Sequence, residues 1–209
     1  VKIGLLGTGN LARALGGAWA ATGHTIAVTG RDIGRAESAA KTIGAAATAV
    51  EPAALAAGTD VVVLAVSWTG IESALTLIGG PQGKLAGTII LDCTNPVDFA
   101  TGRLELPSGS AAEIVARTAP GAHVTKALHL FPSATWPFTG NSDDSPVVPI
   151  YGDDSASLER VRELVGDLGS TPVVVGGLDA ARQAEEVAGF VTRVAIAGVN
   201  PRLAVPDLS

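Results

Sequence analysis

A doubly wound α/β fold around a mostly parallel sheet follows from three features of the 209-residue sequence. Short apolar runs alternate with helix-like stretches almost from end to end. A glycine-rich turn, Gly7-Thr8-Gly9-Asn10-Leu11-Ala12, separates the first run from the first helix. The run from Val61 to Val66 is apolar on both faces, which suits a parallel strand covered by helices on both sides. Together these give the β-α-β-α rhythm of a parallel sheet with crossover helices.

In chain order, Lys2 to Leu6 reads as a buried strand and Leu11 to Ala21 as a helix. Thr25 to Thr29 and Ile33 to Ile43 repeat the pair, and Ala46 to Val50 gives a third strand. Pro52 opens a short helix, the position where its missing N–H costs least. Val61 to Val66, Ile71 to Leu77 and Thr88 to Leu91 continue as strand, helix and strand. The stretch from Thr94 to Gly109 is rich in Pro, Gly, Thr and Asn and reads as loop. Ala111 to Arg117 is helical, Val124 to Leu128 is a strand, and Phe131 to Ser145 is irregular. Val147 to Tyr151, Ser155 to Leu168 and Thr171 to Val175 form a last strand-helix-strand unit, before one long helix from Ala180 to Ala197. The expected organisation is a Rossmann domain over residues 1–130 and a smaller C-terminal α/β segment over 131–209, ending in the long helix.

Composition narrows the class of function. With 47% apolar and 16% charged residues the chain can bury a full core. No apolar run approaches the roughly 20 residues that span a bilayer, and no leader is expected. A net charge of −6 argues against nucleic acid or an anionic membrane as partner. Cys93 is the only cysteine, so intrachain disulfides and cysteine-rich zinc sites are excluded. No residue cluster points to a metal, and a reducing, cytoplasmic setting is the default expectation.

The glycine turn carries the first chemistry. Gly7 permits the tight turn, Gly9 lets the backbone approach a pyrophosphate, and Ala12 lets the helix pack against the strand. Thr8, Asn10 and Leu11 complete the loop that would surround the phosphates at the helix N-terminus. The second strand then selects the dinucleotide. NAD sites place an acidic residue there, whereas this chain reads Thr29-Gly30-Arg31, with Arg35 one helical turn later. A hydroxyl, an open glycine backbone and guanidinium groups suit a 2′-phosphate, so NADP(H) is the expected cofactor. Asp32 is read as the N-cap of the following helix.

With these motifs in place the chain resembles the NADPH-dependent reductases of coenzyme F-420, the 8-hydroxy-5-deazaflavin. The resemblance runs through Leu5-Leu6-Gly7-Thr8-Gly9-Asn10-Leu11, Thr29-Gly30-Arg31 and Ser67-Trp68. It continues through Ser110-Ala111-Ala112-Glu113-Ile114-Val115-Ala116, Ala127-Leu128-His129-Leu130-Phe131-Pro132 and Tyr151-Gly152-Asp153-Asp154. It implies hydride transfer between NADP(H) and the deazaflavin, with His129 and Phe131 near the place where the two rings meet. The tip after the fifth strand, Cys93-Thr94-Asn95-Pro96-Val97, would line the same cleft. At that tip Asp92-Cys93-Thr94-Asn95-Pro96 departs from the family and looks more like the broader group that includes the cytoplasmic domains of membrane ferric reductases.

Several side chains have double readings. His129 stands at the mouth of the sheet, either bonding a ring or satisfied by backbone. Trp68 is expected to pack against the nucleotide and Phe131 to line the cleft, while Asn95 either donates to a ring carbonyl or, more simply, forms an Asx-turn before Pro96. An anionic acceptor tail would need cations, for which Arg182, Arg193 and Lys126 are candidates, each also readable as a solvated surface charge. Two rival functions remain at this level. One is NADP-dependent reduction of a small imine, ketone or flavin/metal acceptor, and the other is a non-catalytic NADP(H) sensor. The small-residue face of the last helix would serve a homodimer in any of the three.

Overall fold

A computed structural model describes residues 1–205; residues 206–209, the end of the expected C-terminal segment, lie outside the described residues. The first half builds β1 (Lys2–Leu6), α1 (Asn10–Ala21), β2 (Thr25–Thr29), α2 (Ile33–Ile43), β3 (Ala47–Ala49), α3 (Pro52–Leu55), β4 (Val61–Leu64), α4 (Ile71–Leu77) and β5 (Ile89–Asp92). There follow a two-residue hairpin, β6 (Val97–Asp98) and β7 (Arg103–Leu104), then α5 (Ala111–Thr118) and β8 (His123–Lys126). The chain closes with β9 (Val147–Gly152), α6 (Ser155–Gly166), β10 (Thr171–Gly176) and α7 (Ala181–Ile196).

Eight strands form one sheet in the order β10-β9-β8-β5-β4-β1-β2-β3. Every pairing in it is parallel except β8 with β9. The six strands from β3 to β8 therefore have the doubly wound order, and the topology reverses direction between β1 and β4. Ligands of such sheets bind outside the carboxyl ends of the strands at that switch point. The 20 residues between β8 and β9 bring the chain back so that β9 and β10 extend the same sheet in the opposite sense.

Helices cover both faces. One core packs α1, α2 and α6 on the sheet through residues such as Leu15, Trp19, Ala36 and Leu164. Trp19 also donates from Nε1 to the Leu164 carbonyl at 2.8 Å, joining α1 to α6. The opposite core packs α3, α4 and α5 through Leu55, Leu75 and Val115. Val61, Val62, Val63 and Leu64 lie fully buried between these layers, as an apolar-on-both-faces strand must.

Helix ends follow their capping chemistry. Asp32 accepts from Arg35 N at 3.0 Å and Asp154 from Ser157 N at 2.8 Å. Ser110 and Glu113 form a reciprocal capping box at α5. The strand β4 stops at Leu64, two residues short of the apolar run, because Ala65 and Val66 leave the ladder to face a groove.

Candidate functional site

At the switch point β1 runs into Gly7, whose φ is 135°. A Cβ there would stand 2.3 Å from the Ala65 carbonyl oxygen, so only glycine lets the turn pass beside the exit of β4. Gly9 is the N-cap of α1 and has no side-chain cap, leaving first-turn amides without protein partners. A Cβ on Gly9 would meet no atom within 4 Å, so the space in front of those amides is open. Open, donor-rich backbone at a helix N-terminus fits a pyrophosphate.

The groove in front of this turn has a volume of about 730 Å³ and is lined by Gly7, Thr8, Gly9, Gly30, Arg31 and Arg35, among others. Both arginines are exposed, and neither pairs with a carboxylate among the described residues. Asp32 also faces the groove, with one carboxylate oxygen engaged in capping α2. This donor set fits an adenosine 2′-phosphate. Thr29 lies beneath the groove, fully buried, and donates its hydroxyl to the Val50 carbonyl at 2.8 Å. Asn10 is exposed at the first turn of α1.

A second cleft of about 940 Å³ adjoins the first, and Val66, Ser67 and Thr69 face both. Its walls are the tip after β5, the loop after β8, and α7 through Val191, Thr192, Ala195 and Ile196. Leu11, Trp68, Asn95, His129 and Phe131 line it. Pro96, within the same tip, is buried and does not line the cleft, its carbonyl accepting from Glu105 N at 2.7 Å.

His129 is 6% exposed, and neither ring nitrogen has a hydrogen-bond partner. The Ala184 carbonyl faces the ring without meeting hydrogen-bond geometry. Burial, and then the nearby Lys126 charge, hold the imidazole well below its usual range. The ring is therefore neutral, with one donor and one acceptor to offer. Leu128, just before it, has φ 63°, a left-handed backbone that costs a leucine about 1–2 kcal/mol. Such strain persists where the surroundings fix a functional geometry.

Asn95 donates from Nδ2 to the His129 carbonyl at 2.6 Å. The side chain thus spans from the β5 tip to the β8 loop, in place of the Asx-turn expected before Pro96, and its Oδ1 is left unpartnered. Phe131 stacks edge-on with Trp136, ring centroids 5.5 Å apart. Trp68 faces this second cleft and donates from Nε1 to Glu105.

The three cations considered for an anionic tail are all engaged. Lys126 Nζ is buried and lies 2.9 Å from Asp92 Oδ2, 2.9 Å from Glu185 Oε1 and 2.7 Å from the Thr94 carbonyl. Arg182 pairs with Glu186 and donates to the Gly109 carbonyl, and Arg193 donates to the Gly102 carbonyl. The Asp92–Lys126–Glu185 cluster escaped the sequence reading, although two signals pointed to it. A lysine interrupts the apolar strand Val124-Thr125-Lys126-Ala127-Leu128, and a glutamate sits on the small-residue face Ala181, Ala184, Ala188 of the last helix. Charges in such places require partners. Beside them, Cys93 is buried, which pushes its thiol far up and leaves it unreactive.

Comparison with known proteins agrees with the resemblance read from the sequence. Residues 2–96 match the family described as NADP oxidoreductase, coenzyme F420-dependent. The crystal structure of a protein assigned as an F420-dependent NADP reductase from Arthrobacter sp. FB24 superposes with a TM-score of 0.82 at 28% identity, covering 95% of each chain. The metalloreductase STEAP3 of Rattus norvegicus is 29% identical over 187 residues, 89% of this chain. The chain spans 36% of that relative's length. A reductive aminase from Aspergillus terreus, solved with NADPH, shares the fold with a TM-score of 0.69 at 21% identity, covering 94% of this chain and 62% of its own. An NADP-dependent oxidoreductase is the class that family and relatives indicate. Among the described residues no helix is long and apolar enough to cross a membrane, and no group of three or more His, Cys, Asp or Glu could hold a metal ion.

Proposed function

We propose that this chain transfers a hydride between NADP(H) and the deazaflavin coenzyme F-420. The observation that carries the reading is the meeting of the two grooves at Val66, Ser67 and Thr69. A dinucleotide held at the Gly7–Gly9 turn has its 2′-phosphate end at Arg31 and Arg35 and an acceptor cleft beside its other end. When bound, NADPH would supply a hydride from nicotinamide C4 and the deazaflavin would receive it at C5, the accompanying proton coming from solvent at the ring edge.

The protein's contribution is position and dryness. Amides at the start of α1 and the two guanidinium groups hold the phosphates. The neutral His129 ring and Asn95 Oδ1 offer a donor and an acceptor to a flat heterocycle. Leu128, Phe131, Val191 and Ile196 supply apolar walls that keep water away from the transfer. The division of labour supports residues 1–130 as the nucleotide-binding part and the following segment as the part that completes the acceptor cleft. The full-length match to the Arthrobacter protein supports F-420 as the acceptor. The small-residue face of α7, with Ala181, Ala184 and Ala188, is buried within the chain, so a homodimer through that helix would rest on its exposed Val187 and Phe190 instead. The single cysteine supports a reducing, cytoplasmic setting.

One specific observation favours a second reading. The 29% identity to a metalloreductase, with the Asp92–Pro96 tip, supports a flavin or ferric acceptor in the same cleft. Steady-state oxidation of NADPH with F-420, free flavin or a ferric chelate separates the two. Fast turnover with F-420 alone supports the deazaflavin reading, and turnover with flavin or ferric chelate replaces it. Tight NADPH binding without turnover on any acceptor, small imines and ketones included, leaves a nucleotide sensor.

A further inference from the structure

We propose that Lys126 is a positioning residue of the acceptor cleft, its ammonium fixing the tip after β5 and helix α7 as two walls of one binding surface. The inference rests on the acceptor-cleft reading above.

Each contact of the ammonium belongs to a different structural part. The Thr94 carbonyl is tip backbone, Asp92 ends β5, and Glu185 lies on α7. Asp92 extends the hold on the tip, its Oδ1 accepting from Thr94 N at 2.9 Å and Thr94 Oγ1 at 2.7 Å. Glu185 in turn accepts from Ala111 N, the first residue of α5, at 3.0 and 3.1 Å. Seven residues beyond Glu185, two helical turns on the same face, Thr192 faces the cleft. Next to Thr94, Asn95 reaches the His129 carbonyl. One buried nitrogen therefore joins β8, β5, the tip, α5 and α7 where they surround the cleft.

Stability alone is a poor reason for such a cluster. Removing three charges from water is costly, and apolar side chains of similar volume often do as well. What apolar packing lacks is direction: an ammonium with three acceptors at 2.7–2.9 Å sets the place of each. None of its bonds reaches the Gly7–Arg35 groove, so the effect is confined to the acceptor side.

The test compares Lys126→Met and Glu185→Gln in steady-state kinetics, with NADPH and F-420 varied separately. Glu185→Gln keeps the shape and an amide oxygen for Ala111 N, so it carries the test if Lys126→Met does not fold. The expected result is an F-420 KM raised about tenfold in either folded variant. The NADPH KM stays within about twofold and kcat changes less than the F-420 KM. An unchanged F-420 KM, or a parallel loss in both KM values, overturns the proposal. If the unaltered protein does not turn over F-420, the functional reading fails by itself. Amide hydrogen exchange then decides the role of Lys126. Glu185→Gln should accelerate exchange in residues 93–97 and 189–196 while leaving 7–35 unchanged, and a uniform change or none contradicts it.

Discussion

Lys126 Nζ and Glu185 Oε1 stand 2.9 Å apart with both side chains fully buried, tying β8 to the helix α7. The bond joins the strand that leads into the His129 loop to α7, and both that loop and that helix line the second cleft. Burial raises the Glu185 carboxyl above its ordinary range, while Lys126, held between two carboxylates, is raised as well and stays charged. Lys126 in turn depresses its neighbour His129, whose depression comes first from its own burial.

That depression has a consequence for stability. The folded His129 stays neutral while the unfolded ring takes up a proton below about pH 6.5, so folding stability falls as pH drops through 6.5 toward the lower folded value. Between pH 7.5 and 5.5 the protein should lose more stability than a His129→Phe variant, by at most about 1.4 kcal/mol, read by urea unfolding. Equal losses in the two proteins would mean that His129 is solvated and titrates normally.

Under the proposed function, nucleotide choice rests on Arg31 and Arg35, which line the first groove. Arg31→Ala should weaken NADPH binding by about 10–100-fold and NADH binding hardly at all, because only the former has a 2′-phosphate to lose. Fluorescence titration with both nucleotides measures it. A loss shared equally by NADH would place Arg31 elsewhere on the cofactor.

The two motif glycines should respond in opposite ways. The Cβ of Gly9→Val meets no protein atom within 4 Å on an extended backbone, so the melting temperature should hold while NADPH binding is lost. Gly7→Ala forces a Cβ to within 2.3 Å of a carbonyl at φ 135° and should destabilise the fold by about 2 kcal/mol or more. Retained NADPH affinity in Gly9→Val would displace the pyrophosphate from this turn.

Asp32 is acidic and close to the ribose end of the groove, yet it caps α2. Asp32→Ala should cost about 1 kcal/mol in thermal unfolding and leave NADPH affinity intact or improved. A fall in NADH affinity instead would show it gripping ribose hydroxyls.

Most of the framework was legible because it rests on local rules. The strand Thr25–Thr29 and the helices Ile33–Ile43 and Ile71–Leu77 fall where pattern and caps place them. Strand ends were less legible: Ala65, Val66 and Leu128 continue apolar runs but leave the sheet to line the grooves, while Ala127 leaves it for the core. The hairpin at Val97 and Arg103 has two residues per strand, too few for any periodicity. The antiparallel return of β9 depends on a long irregular connection whose direction no local pattern encodes. The same limit hid the Asp92–Lys126–Glu185 cluster, whose members lie 34 and 59 positions apart in sequence and meet only through the fold. Thr29 shows the converse, since its place in the motif was legible but its hydroxyl is spent on Val50.

Direct transfer is the central claim, and isotope tracing tests it most directly. NADPH deuterated at nicotinamide C4 is mixed with the protein and oxidised F-420 in a single turnover, and the reduced deazaflavin is analysed by mass spectrometry. The account predicts that one label, from one face of C4, appears at C5 of the deazaflavin without exchange into water. Reduced deazaflavin carrying only solvent hydrogen, whichever face was labelled, or NADPH left unconsumed, would contradict it.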